Sequence, residues 1–386
     1  MSPAVLALVL ALGLVGPLLA TPRSWGVPVA VGEIAAGVLA GRTGLQWLDP
    51  HQPALEFLAQ AGFALIMLVA GSHVPVRAPG LPAALGRGAM LAAATGALAV
   101  PAGLGVAALA GTGHGWLYAV LFASSSAALV IPVVQEAGLD SPAALAMIAH
   151  VAIADVAAIV LLPLAEQPGR AGRAALGVLA VVGAALAAFV ILREFRTRGL
   201  QQRLHRLSRA RNFGLELREQ LIIVFGLAGL AVAVHVSVML AGFAAGLILA
   251  VQGEPRRLAR QLFGVADGFL GPVFFVWLGA SLDLEELIHH PRMIALAGAL
   301  ALAGVAVHAA ARLLGQPLPL ALLAGAQLGV PVAAVTIGES AQVLRPGEGG
   351  AILAAALVTV GVTAWMAALV GPREAEAASA GAVPTG

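Results

Sequence analysis

The sequence predicts an all-α polytopic membrane protein of about 13 transmembrane helices, built as inverted repeats with two broken helices that cross. Three observations lead there. Of 386 residues, 60% are apolar and only 10% charged, with a mean hydropathy of +0.96, which excludes both an ordinary soluble domain and a disordered chain. Apolar stretches of roughly 20 residues, enough to cross the hydrocarbon layer, recur between charges and Pro/Gly turns. Two such stretches, one in each half, carry Pro and Gly interruptions near their middles.

Taken in order, the spans lie near 3–20, 26–42, 55–72, 86–110, 116–136, 142–164 and 174–192, then 219–234, 236–251, 263–281, 293–314, 318–338 and 349–370. The first lacks the basic leader of a signal peptide and is followed by Thr21 and Pro22, so a retained helix is expected. The division between the eighth and ninth rests only on His235 and Ser237. The chain thus divides into an N-terminal transmembrane half (1–192), a basic segment (193–218), a C-terminal transmembrane half (219–371) and a small polar tail (372–386) expected to be disordered. The basic segment reads equally as a cytoplasmic linker or an interfacial amphipathic helix.

Charge placement sets the orientation. All 21 basic residues are Arg and there is no Cys, so disulfides and thiolate metal sites are absent. An isoelectric point near 10.2 would suggest a nucleic-acid partner in a soluble protein, but here the Arg residues flank apolar spans, and no free basic domain remains. With the N-terminus outside, the inner loops hold Arg23, Arg77, Arg87, Arg256, Arg257, Arg260, Arg373 and the cluster from Arg193 to Arg218. The outer loops hold only Arg42, Arg170, Arg173, Arg292 and Arg345. The excess of positive charge inside therefore selects an external N-terminus and a cytoplasmic C-terminus, consistent with an odd span count.

The interrupted stretches are FASSSAALVIPVVQEAG (122–138) and LAGAQLGVPVAAVTIGES (323–340), running inward and outward respectively. Pro132 marks the expected break in the first, Gly329 and Pro331 that in the second. A Pro removes one N–H and frees a carbonyl, exposing backbone dipoles at the midplane where a cation can use them. The alternative for either helix alone is a kink tolerated by its neighbours.

Asp155, in AMIAHVAIADVAAIVLLPL (146–164), is the lone carboxylate deep in its span. An uncompensated charge at mid-bilayer is costly, so such an acid marks an ion or proton pathway. It holds either a proton or a cation, each displacing the other, which is the minimal chemistry of an exchanger. The alternative is a structural acid paired with a base. Glu33 is also deep in its span and reads as a structural acid, while His150, about 140° round the helix from Asp155, is expected to face elsewhere. Asp267 is expected to cap the helix through GFLGPVFF. Gly37, Gly41, Gly242 and Gly246 suit close helix packing.

Several segments together resemble the monovalent cation/proton antiporters, in the branch of bacterial sodium/proton antiporters and potassium efflux systems. They are VPVAVGEIAAGVLAG (27–41), FLAQAGFALIMLVAGSHV (57–74), SSSAALVIPVVQEAGL (124–139), AIADVAAIV (152–160), LAGFAAGLILA (240–250) and FLGPVFFVWLGASLDL (269–284). The resemblance implies a multi-pass protein of the bacterial inner membrane, working by alternating access as a homodimer, without a cofactor, on Na⁺ or K⁺ and protons. It implies that hydroxyls of Ser124, Ser125 and Ser126 join Asp155 around the cation; small-residue packing, or hydroxyls bonding back to their own helix, is the other reading. Where the family often has a Lys in the eleventh span, His308 stands here, with Arg312 four residues on and so on the same helical face. His308 reads either as a basic partner of Asp155 or as a satisfied core histidine, and Arg312 either as a partner or as an interfacial anchor.

Departures are equally plain. Ala154 precedes Asp155 where the family has a second polar residue; Gly71, Ser72 and His73 replace Gly-x-Glu; and Gln327, Leu328, Gly329 and Val330 stand where Arg-Gly-Glu is common. With one carboxylate, the simplest cycle trades one proton for one monovalent cation and is electroneutral. Transport of another solute on the same scaffold stays open. A passive cation channel would need a continuous polar lining, whereas these spans are mostly Ala, Leu, Val and Gly; an aspartyl enzyme needs two neighbouring carboxylates, and only Glu33 could join Asp155.

Overall fold

The structure, a computed structural model, describes residues 1–21, 29–72, 81–136, 141–166, 171–198, 215–253, 256–282 and 284–381. Most of the basic segment (199–214), Arg23, His73, Arg77 and Arg170 therefore lie outside the described residues. All regular structure among the described residues is helical. The first half comprises α1 (Pro3–Gly13), α2 (Val15–Ala20), α3 (Val29–Ala40), α4 (Pro53–Ser72), α5 (Leu81–Ala110), α6 (Gly115–Ala123), α7 (Ala127–Glu136), α8 (Pro142–Glu166) and α9 (Ala171–Thr197). The second half comprises α10 (Leu215–Ala233), α11 (Val238–Gln252), α12 (Arg256–Val265), a π-helical turn (Ala266–Leu270) and α13 (Gly271–Ser281). It continues with α14 (Leu284–His289), α15 (Pro291–Ala309), a 3₁₀ turn (Ala310–Leu314), α16 (Leu318–Leu323), α17 (Gly329–Ser340) and α18 (Glu348–Gly381).

Every expected span coincides with a helix or an interrupted pair. Among the described residues, eight helical stretches are long and apolar enough to cross a membrane unaided, and α3, α11 and most of α17 are shorter apolar helices. Helix length and composition alone thus fall short of thirteen crossings: two expected spans divide into short halves, α3 and α11 are only 12 and 15 residues long, and α10 carries Glu216, Arg218 and Glu219 near its start. The doubtful boundary between α10 and α11 is a real turn: His235 takes a left-handed backbone (φ 56°), and Ser237 caps α11 by accepting the Met239 N–H at 3.2 Å.

The helices form two packed groups. In one, α1–α4 pack with α10, α11 and α13; in the other, α5, α6 and α8 pack with α15–α18. Each half of the chain therefore contributes to both groups, as an inverted repeat requires. Glycines let the scaffold helices touch backbone to backbone. A Cβ on Gly246 of α11 would meet the backbone of Leu68 and Gly71 in α4, and one on Gly37 of α3, or on Gly41 just after it, would meet that of Val276 or Ala280 in α13. The first span belongs to this group, with Gly13 seated on Pro272 of α13.

Two local expectations change. Asp267 lies within the π turn rather than at a helix start, since α12 runs into that turn without a break. Helix α18 continues through residues 372–381, where an unstructured tail was expected; EAEAASA is rich in Ala and Glu, both strong helix formers.

Candidate ion-binding site

The fifth span is broken, but at the serines. Helix α6 stops at Ala123, Ser124 is extended (φ −73°, ψ 156°), and α7 resumes at Ala127 with the Leu129 and Val130 amides bonding Ser126 O. Pro132 lies inside α7, about two turns beyond the gap, and so does not mark the break. The physical reason is that a Pro removes only one donor, whereas serine hydroxyls can replace several lost backbone bonds. Ser124 Oγ donates to Leu121 O at 2.7 Å. Ser125 Oγ donates to Ala324 O at 2.6 Å. Ser124, Ser125 and Ser126 are all buried.

Ala324 belongs to the second interruption, between α16 and α17. Leu328 there has non-helical angles (φ −140°, ψ −56°), Gly329 opens α17, and Pro331 sits in its first turn, where the missing N–H has no intrahelical acceptor to lose. The Ser125–Ala324 bond therefore joins the two interruptions. On the far side of the gap, the Gln327 N–H donates to Thr359 Oγ1 of α18 at 3.2 Å.

Asp155 completes the crossing from α8. Its side chain is buried, and Oδ2 accepts the Ala127 N–H at 3.2 Å, the first amide of α7. A carboxylate there meets the positive end of the half-helix dipole. The other carboxylate oxygen takes no bond from the described residues. No cationic side chain bonds Asp155 among them either. The local oxygens are the kind a hard cation prefers: carboxylate, hydroxyl and released carbonyl. No cluster of three or more His, Cys, Asp or Glu exists among the described residues, so the donor set does not suit a transition metal.

The basic candidates stand apart from Asp155. His308 is fully buried; its Nδ1 lies 3.1 Å from Gly304 O, and the ring faces the Ser124 backbone. It stacks on His150 with ring centroids 6.0 Å apart. His150 thus faces α15, a partner that its position about 140° round α8 from Asp155 did not reveal. Arg312 is exposed in the 3₁₀ turn after α15, and the tighter winding there removes the shared face that α-helical spacing gave it with His308. Glu33 is buried in the scaffold, its Cγ against Gly16 of α2 and its charge within the field of Asp267. It makes no bond to Asp155.

A cavity of about 850 Å³ lies between the two groups. Gln60 and Phe63 of α4, Phe274 and Trp277 of α13, Pro163 of α8, and Ala333 and Thr336 of α17 line it, with Arg173, His235 and Ser237 toward one end of the helices. Phe63 and Phe274 stack at 4.7 Å between centroids. Among these, Pro163 stands two turns along α8 from Asp155.

Three contributors gave no sequence signal. Ala127 and Ala324 act through backbone atoms that every residue possesses. Thr359 was visible only as a hydroxyl in an apolar span.

Comparison with known proteins covers nearly the whole chain. The family model described as sodium/hydrogen exchanger, transmembrane, matches residues 6–370. The structure of the sodium proton antiporter MjNhaP1 from Methanocaldococcus jannaschii at pH 8 superposes with a TM-score of 0.67 at 17% identity, covering 95% of this chain and 98% of that one. No curated protein matches the chain.

Proposed function

From the premise that the chain belongs to the sodium/hydrogen exchanger family, we propose that it exchanges Na⁺ or K⁺ for protons by alternating access, with Asp155 as the group both ions share. One observation carries this reading: a buried carboxylate without a cationic partner among the described residues caps the restarted half of one broken helix, which is itself bonded to the second broken helix. A proton neutralises that carboxylate in one half of the cycle and a cation does so in the other, so neither state leaves a bare buried charge.

Ser125 and Ser126 are proposed to supply further oxygen, with Ser124 and His308 supporting the gap. Because Asp155 is the lone acid at the crossing among the described residues, the exchange is proposed to be one for one and electroneutral. The helices α5–α8 and α15–α18 would move against the scaffold of α1–α4 and α10–α13, residues 1–192 and 219–371 forming the two repeats. With the N-terminus outside a bacterial inner membrane, the 850 Å³ cavity opens toward the outer face. The functional unit is proposed to be a homodimer.

The test is cation-dependent proton flux in proteoliposomes across Li⁺, Na⁺ and K⁺, with a potential-sensitive dye as a second readout. Flux with one or more of these cations and no generated potential is expected. Flux that builds a potential overturns the one-for-one ratio, and no flux with any of them overturns the exchange.

A further inference from the structure

The second interruption has no serines of its own to replace the backbone bonds it loses. Its support comes from α18, which packs against both α16 and α17. Thr359 and Thr363 of that helix, four residues apart and so on one face, are both buried. They touch the gap from either side: Thr359 Oγ1 accepts the Gln327 N–H at 3.2 Å, and Thr363 Oγ1 reaches Leu322 O at a long 3.5 Å.

Thr359 is oriented for this task. Its own hydroxyl hydrogen is committed to Ala356 O at 2.8 Å, which leaves the oxygen lone pairs for the Gln327 amide. Gln327 is 5% exposed, and its N–H precedes α17, where no intrahelical carbonyl can serve it. Without Thr359 a buried backbone donor is stranded within three residues of Ala324, the carbonyl that meets Ser125.

We propose that Thr359 is a positioning residue for ion exchange: it fixes the second interruption so that the Ala324 carbonyl and Ser125 stay in place beside Asp155. This rests on the reading of the crossing as the ion site. Thr359 acts through the Gln327 backbone and touches no transported ion. Its loss disturbs the cation's oxygen shell while leaving the exchanging carboxylate intact.

Wild type, Thr359→Ser and Thr359→Val are compared in proteoliposomes, together with hydrogen exchange of peptides spanning 324–330. Val keeps the shape and deletes the acceptor; Ser keeps the acceptor. The expected result for Val is an apparent cation KM raised about fivefold or more, a maximal rate within about twofold of wild type, and faster exchange in those peptides. Ser should stay close to wild type in all three. If Thr359→Val is not recovered folded, Thr359→Ala decides in the same way. Unchanged KM and amide exchange in Val, or equal losses in Ser and Val, overturn the role alone. Absence of flux in the wild type overturns the exchange reading and this role with it.

Discussion

Replacing Asp155 by Asn separates structure from ion chemistry at the crossing. The amide keeps the shape of the side chain and an oxygen to accept the Ala127 N–H, which now sits 3.2 Å from Oδ2. A bond to a charged acceptor becomes a bond to a neutral one, a loss of about 1 kcal/mol. The new NH₂ adds about 1–3 kcal/mol if it finds no acceptor. The variant should therefore fold, with a modest fall in melting temperature. Its transport should not survive, because the group that alternates between proton and cation is gone. A fall of at least about 100-fold is expected, equivalent to roughly 2.7 kcal/mol. The assay is pyranine-reported proton flux in proteoliposomes driven by Na⁺, K⁺ or Li⁺ gradients, on protein whose folding is checked by size exclusion and thermal melting. A folded Asp155→Asn protein retaining more than about a tenth of wild-type flux would refute the assignment of Asp155 as the shared group.

Other consequences can be checked on the same preparation. Because proton and cation compete for one carboxylate, apparent cation KM should rise as pH falls, approaching about tenfold per pH unit once the group is mostly protonated; a KM independent of pH would mean separate sites. Ser125→Ala strands the Ala324 carbonyl by deleting the 2.6 Å bond between the interruptions. It should cost about 1–3 kcal/mol, read as a lower melting temperature and weaker cation affinity, and neither changing would remove that bond from the argument. At the ends of α6 and α18, the Glu348 carboxylate accepts from His114 Nδ1 at 2.7 Å, Tyr118 OH at 2.6 Å and the Arg345 N–H at 2.9 Å. Glu348→Gln keeps one acceptor oxygen but sets an NH₂ against at least one of these donors, and should lower the melting temperature, again by about 1–3 kcal/mol of stability; an unchanged melt would show the cluster to be dispensable.

The parts legible in the sequence were those that depend on one segment at a time. Apolar length and Arg placement are local quantities, so the spans and the two interrupted regions could be located. Asp155 could be found because a carboxylate in an apolar run is rare enough to stand out alone. Pro132 misled because a Pro advertises a break more loudly than three serines do, although serine hydroxyls are the groups that repair one.

By itself, then, the sequence determined an apolar multi-helix chain with a lone carboxylate deep in its sixth span and two interrupted spans. Only the tertiary structure decided where the interruption falls, that Ser125 spans to Ala324, that the Ala127 amide meets Asp155, and that Thr359 holds the far side of the gap. Those are contacts between residues as many as 199 positions apart. Several are made by backbone atoms that carry no side-chain signature, so packing alone could bring them into view.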